Sequence, residues 1–410
     1  MKTINDYNYE GKTVLLRVDI NSPIDPVTKK IVSENRINKS IPTIKTLLDK
    51  GAKLVIIAHQ GDTLDYDNLI SLEEHAQKLS AALGRTIKYI DDPCGPAAQK
   101  KIVDLKQGEG ILLGNLRYLT EEVSTFENAV KLSPADMKKT YLVRSLLPLC
   151  DYYVNDAFAA AHRNAPSMVA FQQFLPTAAG LLMEKEISAL NKVMENPKAP
   201  CVFVLGGAKI SDAFGMMKQV LETGRADKII TSGITGEIML MAKGYSIGEK
   251  KETFIKDRGL DVFIKDAKEY LEQYSEKIVY PVDLAYEADG KRICLDIEDL
   301  PKSEMFMDIG DKTIKLYEKV IEEANTIFVN GPAGVYENEL FEMGTKSIWK
   351  AIASASGYSV IGGGDTVSAA QKYIDLNNID YVCTAGGAMV RYLSGKELPL
   401  IKAMKQAVTK

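Results

Sequence analysis

One stretch near the middle of the 410-residue chain, Val202–Asp212 (VFVLGGAKISD), does most to limit the possible folds. Val202, Phe203, Val204 and Leu205 form a short apolar, β-branched and aromatic run of the kind found in strands buried on both faces. Gly206 and Gly207 follow and allow a tight turn and a close backbone approach; Lys209 adds a cation, and Ser211 or Asp212 is placed to cap a helix. An anion such as phosphate suits that corner, because the first N–H groups of a helix are unsatisfied and its dipole favours negative charge.

The same strand–turn–helix grammar recurs along the chain. In the first half, apolar runs at Thr13–Ile20, Lys53–Ala58, Thr86–Ile90, Gly110–Leu113 and Asp151–Val154 alternate with helical patterns at Ser33–Lys50, Leu72–Leu83 and Pro134–Leu147. In the second half the strands are VFVLGG, KIITSG, KIVYPVD, TIFVNGP, SVIGGGD and YVCTAGG, most of them followed by a helical pattern. Such alternation implies βαβ units and two mostly parallel sheets, in which ligands gather outside the carboxyl ends of the strands. The length favours two domains. The helix Leu181–Met194 reads as their link, bounded by LPTAAG on one side and by Asn196–Pro200 on the other.

Composition excludes several functions. The chain is 46% apolar and 26% charged with a net charge of −4, so it does not read as a general nucleic-acid or membrane-surface binder. No segment has the length and apolarity of a membrane span, and MKTINDYNYEG lacks the apolar core of a signal peptide, so a cytoplasmic location is expected. Five widely spaced cysteines read as free thiols, and three histidines are too few for a multi-histidine metal site.

The motifs narrow the chemistry. A P-loop is disfavoured, because the only Gly-Lys-Thr, at Gly11–Thr13, precedes a strand and the position five before Gly11 is Asp6. Neither LGGAK nor IGGGDT has the G-x-G-x-x-G spacing of a dinucleotide fold, which makes hydride transfer a poor reading. IGGGDT instead offers the backbone amides of Gly362, Gly363 and Gly364 to an anion, the Asp365 carboxylate to magnesium and the Thr366 hydroxyl beside it. In NGPAGVYE, a constrained Asn-Gly-Pro turn leads to Glu337, an acid able to accept from ribose hydroxyls. In the first half, Arg17, Asp19 and Asn21 share one face if the strand stays extended, and Arg36, His59, Arg117, His162 and Arg163 recur beside strand ends or helix starts. Arginine forks match phosphate and carboxylate, so these residues point to a small, doubly anionic substrate. His75, in a helical EEHAQKL pattern, reads as a surface or half-buried residue.

Taken together, LRVDINSP, ENRI, AHQGD, GNLRY, NDAFAAAHR, LLMEKE, LGGAKISD, NGPAGVYENELFEMGT, IGGGDT, TAGGA and GKELP occur in the order and approximate spacing of phosphoglycerate kinases, and the resemblance covers essentially the whole chain. It implies reversible phosphoryl transfer between 1,3-bisphosphoglycerate and MgADP, giving 3-phosphoglycerate and MgATP. The implied fold is α/β, with two Rossmann-like doubly wound domains joined by a hinge helix. Residues 1–175 and 395–410 would form the triose domain, 176–194 the connection and 195–394 the nucleotide domain. Hinge closure would bring the two sites together.

Carried over by motif, Asp19 and Asn21 would hold the glycerate, and His59, Arg117 and Arg163 the phosphate that is not transferred, with Arg17 and His162 also on the substrate side. Arg36, Lys209, Gly364 and Gly387 would act on the transferred group, Gly387 together with Gly386 presenting amides. Gly206, Gly207, Asn330, Pro332 and Glu337 would line the nucleotide pocket, while Gly362–Thr366 would hold the phosphates, and Asp365 the magnesium, largely through those phosphates. A monomer or homodimer with small-molecule substrates, and no nucleic-acid or membrane partner, is expected. Three departures stand out: Asp62-Thr63 where relatives commonly carry Arg-Pro, Ala213 where many carry a second lysine, and Ala385 in place of the first glycine of a triplet. Lys218 is a candidate to replace the missing lysine. A kinase for another phosphorylated carboxylic acid and a catalytically silent nucleotide binder are the rival readings.

Overall fold

The computed structural model describes residues 1–61 and 68–407. Asp62-Thr63, the first departure noted above, lies outside them. The chain divides into two compact units, one of residues 1–187 with 397–410 and one of residues 188–396.

Unit 1 is built on a six-stranded sheet. Its strands are β1 (Thr13–Arg17), β2 (Lys53–Ile57), β3 (Ile87–Ile90), β4 (Gly110–Leu113), β5 (Tyr152–Asn155) and β6 (Thr177–Ala179), in the order β3-β4-β2-β1-β5-β6. All five pairings are parallel. The apolar runs are unbroken because both faces are covered: β1, β2, β4 and β5 are almost wholly buried. Residues 177–179, read from the sequence as part of the connection, form the edge strand instead; three residues after a Leu-Pro are too short to show a pattern. The helical pattern at Pro134–Leu147 is also interrupted. Thr140 takes an extended conformation (φ −64°, ψ 154°) and separates a 3₁₀ turn at Asp136–Lys139 from the helix Tyr141–Leu146. Its hydroxyl donates back to the Met137 carbonyl at 2.7 Å, an alternative to continuing the ladder.

In unit 2 a second sheet runs through β7 (Cys201–Leu205), β8 (Lys228–Thr231), β9 (Ile278–Val279), β13 (Thr326–Asn330), β14 (Tyr358–Ile361) and β15 (Tyr381–Val382), in the order β15-β14-β13-β7-β8-β9. It too is parallel throughout. After β7 the chain winds outward through β8 and β9, then crosses back to β13 on the other side, so the direction of winding reverses between β7 and β13. One expectation fails here. KIVYPVD is not a single strand: Pro281 interrupts it, and β10 (Asp283–Ala288) leaves the parallel sheet to pair antiparallel with β11 (Lys291–Asp296) and β12 (Asp308–Ile309). Asp289 and Gly290, both at positive φ (52° and 72°), turn that hairpin.

The C-terminal helix Pro399–Lys405 belongs to unit 1. It buries Leu400, Ile401 and Met404, and the Leu400 N–H donates to the Ala161 carbonyl at 3.2 Å. Leu400→Ala is expected to lower the stability of unit 1 by about 2–5 kcal/mol, the usual range for a fully buried leucine. Urea titration followed by far-UV circular dichroism measures this, and a change below about 0.5 kcal/mol, the range of an ordinary surface substitution, contradicts the packing described.

Candidate functional site

The arginines of unit 1 converge. Arg17 ends β1, His59 follows β2, Arg117 follows β4, and His162 and Arg163 follow β5, so the carboxyl ends of four strands deliver them to one edge. Arg36 comes from the first turn of the helix Asn35–Asp49. All eight expected substrate residues, Arg17, Asp19, Asn21, Arg36, His59, Arg117, His162 and Arg163, line one cavity of about 290 Å³.

Within it the geometry is held by buried polar contacts. Arg17 donates from Nη2 to His59 Nδ1 at 2.8 Å and from Nε to Ser167 Oγ at 3.2 Å. Ser167 in turn donates to the buried Glu122 carboxylate through its backbone N–H (2.7 Å) and its hydroxyl (2.6 Å). A guanidinium has no lone pair to offer, so His59 Nδ1 accepts and the ring proton sits on Nε2. Burial, then the surrounding Arg17, Arg117, Arg163 and Arg36, push the His59 pKa well below its ordinary value of 6.5. Burial likewise raises the Glu122 pKa, opposed by Ser167, Arg17 and Arg117. Arg36 Nη1 lies 2.7 Å from Asp19 Oδ2, and the other Asp19 oxygen accepts from the Asn21 N–H at 3.1 Å. Asn21 Oδ1 accepts from the Gly61 N–H (3.1 Å), whose carbonyl accepts from Arg117 Nε (3.3 Å). Arg163 Nε pairs with Glu127 at 2.7 Å, while its Nη2, buried, has no hydrogen-bond partner among the described residues. Several guanidinium groups converging on one cavity can bind an anion with forked hydrogen bonds.

His75, by contrast, is not at the surface. It is fully buried, with Nε2 3.0 Å from Gln60 Oε1, and takes no part in the cavity.

Unit 2 carries a larger cavity, about 470 Å³, at the reversal point of its sheet. Backbones there come very close: a Cβ on Gly206 would lie 2.3 Å from the Pro332 carbonyl oxygen, and one on Gly331 2.2 Å from the Gly206 oxygen. Those glycines let the loops after β7 and β13 interlock, with the Gly207 N–H donating to the Pro332 carbonyl at 2.8 Å. The cavity is lined by Gly206, Gly207, Lys209, Asn330, Pro332, Glu337, Gly363, Gly364, Asp365, Thr366, Gly386 and Gly387, as the sequence led us to expect. Gly362 is the exception. A Cβ there would stand 2.2 Å from Met389 Sδ, and its carbonyl accepts from Asn330 Nδ2 at 2.9 Å, so it packs behind the wall. Thr366 is likewise engaged, its hydroxyl accepting from the Gly331 N–H at 2.8 Å. Lys209 Nζ is 3.1 Å from Asp365 Oδ2, and both side chains are exposed (68% and 70%), so the pair is readily parted.

Two departures find an explanation. Ala213 is buried on the inward face of the helix Ile210–Glu222, and Ala385 sits at φ −110°, ψ 109°, which any residue adopts. Lys218 does not replace the missing lysine: it is outside the cavity, 3.9 Å from Glu222. The rest of the cavity went unread in the sequence. Phe254, Leu284, Met307 and Ile309 supply apolar walls, and Glu237 and Lys251 form a buried ion pair of 2.9 Å. A lone acid in the apolar run GITGEIMLMA was the available signal for Glu237.

Two doubly wound α/β units, each with a ligand-sized cavity rich in anion-binding groups at the carboxyl ends of its strands, define an enzyme of the phosphotransferase class. The structure matches the crystal structure of phosphoglycerate kinase from Pyrococcus horikoshii OT3 with a TM-score of 0.85 and 39% identity, over 99% of this chain and 98% of that one. In sequence, it is 45% identical over 406 residues to phosphoglycerate kinase of Methanothermobacter thermautotrophicus and 44% identical over 405 residues to that of Methanothermus fervidus; in both cases 99% of this chain and 97% of the relative are covered. The phosphoglycerate kinase family profile matches residues 4–396. The chain belongs to the phosphoglycerate kinase family, and it is a kinase of glycolytic phosphoryl transfer.

The neutral His59 gives a direct test. Its folded pKa is depressed, so the ring is expected to stay uncharged, with the proton on Nε2, between about pH 5.5 and 8, across its reference value of about 6.5. Folding stability should correspondingly fall as pH drops through about 6.5, where the unfolded chain gains a proton that the native site refuses. Nitrogen-15 NMR of the imidazole measures this; an ordinary titration near 6.5 contradicts it.

Proposed function

We propose that 3-phosphoglycerate or 1,3-bisphosphoglycerate binds the arginine cavity of unit 1 and that MgADP or MgATP binds the glycine-lined cavity of unit 2. The observation that carries the reading is the convergence of Arg17, Arg36, Arg117 and Arg163 on one cavity. Forked guanidinium groups suit the phosphate and carboxylate of phosphoglycerate. Asp19 and Asn21 orient the glycerate, and His59, held neutral by burial and by the arginines around it, donates from Nε2 to a phosphate oxygen. His162 stands on the same wall.

No nucleophilic side chain is required. In phosphoryl transfer the attacking and leaving oxygens belong to the substrates, and the protein contributes position and field. Arg36 supplies a cation in the unit 1 cavity and Lys209 one in the unit 2 cavity, where the helix starts at Gly364 and Gly386 present unsatisfied N–H groups, those of Gly364 and Gly387 included. Glu337 accepts from the ribose, and Asn330 and Pro332 shape the pocket. Among the described residues no cluster of three His, Cys, Asp or Glu is placed to hold a metal. The exposed carboxylate of Asp365 fits magnesium, which commonly takes one or two carboxylates and fills its remaining positions with phosphate oxygens and water. When bound, magnesium neutralises charge on the nucleotide phosphates. Among the described residues none of the five cysteines forms a disulfide, in keeping with a reducing compartment, and we assign the enzyme to the cytoplasm. No helix among the described residues is long and apolar enough to cross a membrane.

A coupled assay of ATP formation from ADP and 1,3-bisphosphoglycerate tests the assignment. Lys209→Ala is expected to lower kcat by ~10²-fold or more, as for loss of one charge-stabilising group, with a smaller change in KM for the triose. Arg163→Ala is expected to raise the triose KM by about tenfold or more, a loss of 1.4 kcal/mol or more of binding, and to leave the ADP KM nearly unchanged. Wild-type turnover no higher than that of Arg36→Ala would refute the reading.

A further inference from the structure

The loop after β13 lies outside any strand or helix until Glu339, yet it delivers Glu337 to the wall of the unit 2 cavity. Its first half is held through backbone N–H groups: Gly331 donates to Thr366 Oγ1 at 2.8 Å, and Ala333 and Gly334 donate to Thr345 Oγ1 at 3.1 and 3.2 Å. Its second half is held at the Tyr336 carbonyl, which accepts from Lys372 Nζ at 2.9 Å and has the Tyr373 hydroxyl 3.3 Å away. Lys372 is itself fixed, 3.3 Å from Glu342, a carboxylate that also takes Lys346 at 3.2 Å and the Tyr373 hydroxyl at 3.1 Å. Neither Lys372 nor Tyr373 lines the cavity.

Thr366, Lys372 and Tyr373 belong to one helix, Gly364–Tyr373, the helix whose start offers its amides to phosphate. Six residues separate Thr366 from Lys372, about 9 Å of helix. That helix therefore grips the loop twice, directly after Asn330 and directly before Glu337. A peptide unit is planar, so holding the Tyr336 carbonyl also fixes the direction in which the Cα of Glu337 is set. The Glu337 side chain is exposed, and its placement depends on that backbone. A lone surface ion pair would fix little, but an ammonium shared between a carboxylate and a backbone carbonyl is part of a network.

We propose that Lys372 is a positioning residue: by holding the Tyr336 carbonyl it sets Glu337 at a fixed distance from the start of its own helix, so that the phosphates and the ribose of one nucleotide are met together. The inference rests on the nucleotide occupying unit 2 with its ribose at Glu337. Binding energy is gained in full only where both ends of a ligand are met without reordering the protein.

Calorimetric titration of the full-length protein with MgADP and with inorganic tripolyphosphate tests this. Lys372→Met keeps a stem of similar length and removes the donors. It is expected to weaken MgADP binding about three- to tenfold, the worth of one hydrogen bond, and to leave tripolyphosphate binding unchanged. In a Glu337→Ala background, itself weaker for MgADP, the same substitution should have no further effect, because the side chain it positions is gone. An equal loss of both ligands would place the effect in the helix itself, and an equal loss of MgADP with and without Glu337 would place it elsewhere in the loop. Either result overturns the inference, as does an unchanged MgADP affinity in Lys372→Met. If Glu337→Ala binds MgADP as the wild-type protein does, the ribose contact and this inference fall together while the nucleotide site stands. Absence of any MgADP binding to the wild-type protein removes that site as well.

Discussion

Four guanidinium groups share one small cavity in unit 1, and like charges so close repel strongly where water is scarce. The structure answers with three carboxylates, two of which, Asp19 and Glu122, line the cavity themselves. Asp19 faces in and holds Arg36, Glu127 secures Arg163 from behind, and Glu122 is buried beneath Ser167, which fixes Arg17. The opposing charge is one short. His59 adds nothing to the repulsion, because burial, then Arg17 and the other arginines, keep it from taking a second proton. What remains is a set of fixed donors around a space one anion can fill, with the cost of assembling them already met by the fold.

Unit 2 solves a different problem with different material. Its cavity depends on the close approach of β7 and β13 loops that only Gly206 and Gly331 permit, and on helix starts whose amides carry partial rather than full charge. Apart from Lys209 and the buried Lys251, no cation among the described residues lines it. A nucleotide phosphate brought with its own magnesium needs fewer protein cations than a bare triose phosphate does, and the two cavities differ in that sense.

Much of this was legible in the sequence, because parallel sheets write unbroken apolar runs that end in glycine or small polar residues, and the ends are where ligands bind. Arg17, His59, Arg117 and Arg163 were found by that rule alone. What escaped was set by tertiary contacts. Thr140 breaks a pattern with good helical periodicity by bonding its own hydroxyl to Met137. Asp289-Gly290 is a readable hairpin signal, but the apolar run through Pro281 masks where the parallel sheet ends and the hairpin begins. Glu122, Ser167, Glu237 and Lys251 belong to no motif; their meaning lies in partners many residues away. His75 has the sequence surroundings of an exposed residue and is buried, with its ring against Gln60, a partner 15 residues away.

The central claim is that each substrate has its own unit, recognised by guanidinium forks in one and by glycine-rich backbone in the other. Amide chemical-shift mapping on the full-length protein tests it most directly. Added alone, 3-phosphoglycerate should perturb the amides around Arg17, His59, Arg117 and Arg163, and MgADP alone those around Gly206, Gly207 and Gly363–Thr366. Perturbation of the second set by 3-phosphoglycerate, or of neither set by either ligand, would contradict the account.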